Sequence, residues 1–121
     1  MNEAELLKKL SDEPERVSFA ECIAVIDENY EFQEGAFQNG NQQNQAGQNS
    51  GSCKILAFAQ RHKLSTLQTL SCFGDFYRHD VLEHPNGVNH QNIRQFMQGG
   101  WKGVHFDSEP LRCRAEKRNG T

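Results

Sequence analysis

The chain has few features of a catalytic, membrane or disulfide-framed protein. No run approaches the ~18 apolar residues of a membrane span, so no membrane insertion is expected. The N-terminus, from Met1 to Leu10, has no basic segment followed by an apolar one, so no secretory signal peptide is expected. The four cysteines are Cys22, Cys53, Cys72 and Cys113, and none forms a Cys-x-x-Cys pair. Reduced thiols in a cytoplasm are therefore expected rather than a disulfide framework. No internal repeat is visible. Net charge is only -3, but acids crowd the first 34 residues and bases the remainder. The basic residues Arg112, Arg114, Lys117 and Arg118 have no stacking aromatics between them, so no nucleic acid is expected as a partner.

Charge is also missing from the middle. Between Gln38 and Ser52 there is no charged side chain, and Ala46 is the one small apolar residue. A stretch this polar is not expected in a core, and it is too long for a routine connection. The expectation is one long loop, either functional or a flexible insert. Asn39-Gly40 marks a turn within it.

Helical periodicity fills most of the rest. Leu6, Leu7 and Leu10 share one stripe of a helix over 3–10, which Pro14 closes. Ser18 and Glu21 form a capping box, and Phe19, Ile23, Ile26 and Tyr30 then recur at helical spacing. Ile55, Leu56, Phe58 and Ala59 give a wide apolar face to a helix over 53–62. A second capping box, Ser65 with Gln68, opens a helix over 66–77. Pro85-Asn86-Gly87 is a turn inside an irregular connection. Asn89 is expected to cap a helix over 90–98, which Gly99-Gly100 ends with one left-handed residue. Trp101, Val104 and Phe106 form an extended arm. The predicted fold is all-α: a compact bundle of about five short helices with one long polar loop, in one domain over 1–121. Residues 112–121 are expected to be a loose tail.

Four groups of residues are candidates for chemistry. Cys53 stands at a helix start, where backbone N–H groups and the helix dipole favour a thiolate. Gln48 upstream is a candidate oxyanion donor. His90 and Asp80 are further catalytic candidates, and His79, His84 and His105 also follow Cys53 as possible bases. This loosely follows the logic of a cysteine hydrolase. The favoured alternative is a cysteine packed at a helix entrance. His79, Asp80, His84 and His90 are suitable metal ligands by type, but their spacing matches no familiar signature, so neither a metal nor another cofactor is expected. Asp75, Arg78 and Asp80 cluster near one helix end, with Arg94 on the next helix; a salt bridge from Asp75 to Arg78 or Arg94 is favoured over a pKa-shifting site. The uncharged amides of the polar stretch both donate and accept. Gln48, Asn49, Cys53, Asp75, Arg78, His90, Gln91 and Asn92 together outline a candidate surface for a polar ligand. Phe73, Phe76, Tyr77, Phe96, Met97 and Trp101 are favoured as core over a partner groove.

Several strings are distinctive in combination. They are Ala46-Gly47-Gln48-Asn49 through Gly51-Ser52-Cys53-Lys54, Cys72-Phe73-Gly74-Asp75-Phe76-Tyr77-Arg78, His90-Gln91-Asn92-Ile93-Arg94, and Gly100-Trp101 with Phe106-Asp107. In this order and spacing they resemble the HopJ family of bacterial type III effector proteins, from about Phe19 to Leu111. The resemblance implies delivery from a bacterial cytoplasm into a host cell, with a host protein as partner if the chain is secreted. It implies no established reaction and brings no catalytic motif. The function expected is binding of a partner or polar ligand through the Asn/Gln-rich loop and the adjacent helix. The alternatives are a small Cys- or metal-dependent hydrolase-like enzyme using Cys53 or the His/Asp loop, and a resident bacterial cytoplasmic protein. The sequence does not set the oligomeric state.

Overall fold

Three helices start at reciprocal capping boxes. They are α1 (Glu3–Asp12), α2 (Phe19–Asn29) and α4 (Thr66–Ser71). Asn2 pairs with Glu5, Ser18 with Glu21, and Ser65 with Gln68. In each, the cap side chain accepts an orphan backbone N–H, and the third residue accepts from the cap's own N–H. The other two helices, α3 (Ser50–Arg61) and α5 (Gln91–Gly99), have no side-chain cap. This is the arrangement in a computed structural model, which describes residues 1–114.

The fold is mixed α/β, not the all-α bundle expected. Strands β1 (Tyr30–Phe32) and β5 (Leu111–Cys113) pair antiparallel, and β2 (Phe37–Asn39) lies between β3 (Gln42–Asn44) and β4 (Val104–Phe106). Each strand has only three residues, too short for an alternating pattern to stand out. In β3 every residue is an amide, a type depleted or neutral in strands. The supposed polar loop therefore begins as a hairpin. Gly40, at φ 59, and Asn41 form its two-residue turn between Asn39 and its cross-strand partner Gln42. Tertiary pairing to β4 completes this sheet: Phe37 faces Phe106 and Asn39 faces Val104. The tail expected to be loose starts instead with β5, whose Leu111 is buried against β1; residues 115–121 of that expectation lie outside the described residues.

The helix expected over 66–77 is also interrupted. α4 ends at Ser71, and Gly74 adopts φ 59. A Cβ at Gly74 would lie 2.7 Å from the backbone nitrogen of Phe19, so only glycine fits this approach of chain to chain. A π-helical segment, Phe76–Val81, follows where an irregular connection was expected. Such segments are rare and recur at functional sites. Gly100 ends α5 at φ 57 and ψ -151, a positive-φ conformation that favours glycine but is not the left-handed helical one expected.

The core lies among α1, α2, α3, α4 and α5. Leu6 and Leu10, Ile26, Ile55, Leu56 and Phe58, Phe73, and Phe96 are all buried within it. Trp101 packs edge-on to Phe96 and donates its indole N–H to the Leu64 carbonyl at 3.2 Å. Phe76 and Met97, expected in the core stripe, are instead exposed.

Candidate functional site

The least expected feature of the polar stretch is that parts of it are buried. Asn39 and Asn44 are almost wholly inaccessible, as is Asn92 on α5. Buried amides are tolerable when they satisfy one another. The Asn39 side-chain amide donates to the Asn92 carbonyl at 2.7 Å and to Asn92 Oδ1 at 3.1 Å. Asn44 donates to Asn92 Oδ1 at 3.2 Å, and Asn92 returns a bond to Asn44 Oδ1 at 3.0 Å. Asn49 adds a donor to the same Asn44 oxygen at 2.7 Å. The network ties the β2–β3 hairpin to the first turn of α5 and to the residue that precedes α3. It also explains why a chargeless stretch enters the core here: a charge would meet a much larger burial penalty.

This packing brings two helix starts to one place. Asn49 precedes α3 at φ 52, and His90 precedes α5 at φ 52, both left-handed. Neither side chain caps its helix. Asn49 is turned to Asn44, and His90 Nε2 lies 3.1 Å from Asp80 Oδ2 on the π-helical segment. The His90 ring also stacks against Phe76, with centroids 5.2 Å apart. Between the two starts is a cleft of about 560 Å³. Asn49, Gly51 and Ser52 line it from the α3 side, and His90, Gln91, Asn92 and Ile93 from the α5 side. Phe19, Phe73 and Phe76 supply an aromatic wall, and Gln42 enters from β3. Backbone N–H groups in the first turn of a helix have no intrahelical acceptor. Two such turns facing one cleft make it favourable to an oxygen carrying negative charge.

Of the residues singled out from the sequence, Asn49, His90, Gln91 and Asn92 meet at this cleft, and Asp80 reaches it through His90. Phe73 and Phe76 also line it, and the remaining candidates lie elsewhere. Cys53 faces the core, is 2% exposed, and does not line the cleft. Burial pushes its thiol up to about 11, the reverse of the lowering expected at a helix start. Gln48 accepts from the Gln45 backbone N–H at 2.9 Å within its own turn. Arg78 donates to the Val17 carbonyl at 2.6 Å and pins the segment before α2; Asp75 lies 3.6 Å from it at the surface. His79 is exposed between Asp75 and Glu83, and the hydrogen bond to Glu83 and the charge of Asp75 raise its pKa. His84 is an exposed loop residue whose carbonyl accepts from Arg94. Among the described residues, no group of three or more His, Cys, Asp or Glu is placed to hold a metal. Phe19, Gln42 and Ser52 were missed as lining residues. Phe19 reads as a core position, and nothing local marks Gln42 or Ser52.

Comparison with known proteins agrees with the strings identified in the sequence. No curated protein matches the chain. A crystal structure of a protein described as being of unknown function, VPA0580, is 47% identical and superposes with a TM-score of 0.92, covering 94% of this chain and 95% of that one. The model of the HopJ type III effector protein family matches residues 3–111. The chain belongs to the HopJ type III effector protein family.

Proposed function

We propose that the protein works by binding, and that the cleft between the starts of α3 and α5 holds a polar ligand with an apolar ring or chain. One observation supports this reading: a buried asparagine network fixes two of the amides that line the cleft, Asn49 and Asn92. Preformed rims matter because each long side chain immobilised on binding costs about 0.5–1.5 kcal/mol. The cleft volume of about 560 Å³ falls within the roughly 300–1,000 Å³ of small-molecule sites. Phe19, Phe73 and Phe76 would contact the apolar part of the ligand. Gln42, Asn49 and Gln91 would bond its polar part, with the backbone N–H groups of both helix starts. In the setting that the family description implies, the protein is delivered by a type III apparatus and the cleft meets a host component. No reaction is proposed, since the thiol at position 53 is turned away from the cleft.

Protein-observed proton–nitrogen correlation NMR of the full chain, titrated with a small-fragment library, tests this. Fragments are expected to shift the backbone amide resonances of Ser52, Gln91 and Ile93. They are expected to be lost in Ser52→Trp, which fills the cleft from its α3 side. Fragments that cluster elsewhere, or that bind Ser52→Trp unchanged, would remove the cleft as the site.

A further inference from the structure

A second site is centred on Arg94. This residue lies on α5 and is only 7% exposed, yet its guanidinium has only neutral partners. Nε donates to the Asn89 carbonyl at 2.6 Å, and Nη2 donates to Asn89 Oδ1 at 2.8 Å. Nη1 donates to the His84 carbonyl at 2.8 Å and to the Pro85 carbonyl at 3.5 Å. The nearby acids are engaged elsewhere: Asp80 with His90, Glu83 with His79, and Asp75 with Arg78 and His79. Among the described residues Arg94 has no ion-pair partner. Buried charges are normally paired, and arginine does not escape by losing its proton. Carbonyl dipoles offset part of the charge. They leave one of the five guanidinium N–H donors, on Nη2, without a partner among the described residues.

The atom with the free donor, Nη2, lies beside Gly87. A Cβ at Gly87 would sit 2.5 Å from Nη2, so the absence of a side chain there keeps the guanidinium accessible. Gly87 and Arg94 both line a hollow of about 240 Å³, with the apolar Val81, Leu82, Pro85 and Met97 and the amides Gln91 and Gln98 around them. Leu82 and Met97 are 48% and 41% exposed, so an apolar mouth stands over a buried cation. The hollow shares only Gln91 with the α3–α5 cleft.

We infer that this hollow binds a carboxylate carried on a short apolar chain, with the carboxylate on Nη2 of Arg94 and the chain against Leu82, Pro85 and Met97. A guanidinium–carboxylate contact is charge-assisted and about twice as strong as a neutral hydrogen bond. The small volume suits a short chain rather than a drug-sized ligand. A free acid and the C-terminus of a peptide ending in an aliphatic residue offer the same chemistry.

Titration of the full chain with hexanoate and with its neutral isostere hexanamide tests the inference, read from the amide resonances of Leu82, Gly87 and Met97. Hexanoate is expected to bind saturably and at least about 10-fold more tightly than hexanamide, reflecting the charge-assisted contact. Arg94→Gln is expected to abolish the preference, with thermal unfolding as a check on its fold. Met97→Glu, at an exposed position, supplies an internal carboxylate at the mouth and is expected to lose hexanoate binding with the fold intact. Equal binding of the two probes, no saturable shift, or hexanoate binding that survives Met97→Glu would each overturn the site. Acetyl-Ala-Leu with a free carboxylate is titrated in parallel. Tighter binding than hexanoate assigns the site to a chain end, and weaker binding assigns it to a free acid.

Discussion

The five α-helices among the described residues start in two different ways. α1, α2 and α4 begin with capping boxes whose bonds are made within four consecutive residues. α3 and α5 begin at left-handed residues, Asn49 and His90, whose side chains are turned to partners outside the helix. A left-handed conformation disfavours a residue with a Cβ by roughly 1–2 kcal/mol. The surrounding structure must supply that energy. It does so through the asparagine network at one start and the Asp80 and Phe76 contacts at the other. The two starts held in this way are the two that face the cleft. Local signals build the scaffold, and long-range contacts build the candidate site.

The largest test of this contrast removes the centre of the network. Asn92→Leu removes one of the two acceptors of the Asn39 side-chain amide and the donor to Asn44 Oδ1, and each buried polar group left unsatisfied costs about 1–3 kcal/mol. A loss of about 3 kcal/mol in urea denaturation is expected. A loss below about 1 kcal/mol would mean that the network does not hold the hairpin to α5. The next test concerns the thiol at the α3 start. With its pKa moved from 9.0 to about 11, the thiolate fraction of Cys53 at neutral pH is about 100-fold below that of a free thiol. Maleimide mass mapping in the native state should therefore label the partly exposed Cys113 first. Early labelling of Cys53 would show that the helix dipole prevails after all.

Smaller effects sharpen the contrast. Ser18→Ala and Ser65→Ala each remove a cap and should cost about 1 kcal/mol in chemical denaturation. Asn49→Gly should stay within about 0.5 kcal/mol of the parent, because relief of the left-handed strain offsets one lost hydrogen bond. If it costs as much as the serine changes, the two kinds of start are not energetically distinct. The smallest effect lies in the π-helical segment that carries Asp80 to His90. His79 titrates above the ordinary histidine value, first through its bond to Glu83 and then through Asp75. Any stability it adds is complete below the unfolded value and is lost as pH rises through the raised folded value. NMR titration of its ring protons should show the raised midpoint, and Glu83→Gln should lower it. An unchanged midpoint would show that the pair does not form.

Much of the helical frame was legible because its signals are local. Ser18 with Glu21, Ser65 with Gln68 and the turn glycine Gly100 act within a few residues of themselves. The strands were not legible. Residues such as Asn39 and Gln42 have no strand preference, and their pairing to Val104 and to each other is a property of the assembled chain. For the candidate site, the sequence named Asn49, His90, Gln91 and Asn92, since amides and an imidazole at helix starts are recognisable by type. It left Cys53 between a packed thiol, the reading it favoured, and a site residue, because a thiol's direction relative to a core is invisible in one dimension. It passed over Phe19, Gln42 and Ser52, which reach the cleft from separate elements.

By itself, the amino-acid order determined the family, the capped helices and their apolar stripes. Each of these depends on neighbours in the chain or on a string of residue types. Only the tertiary structure decided that an uncharged polar stretch enters the core, that two helix starts face one cleft, and that Arg94 is buried without a counter-charge among the described residues. Each of these depends on which distant groups meet, and burial sets its energy.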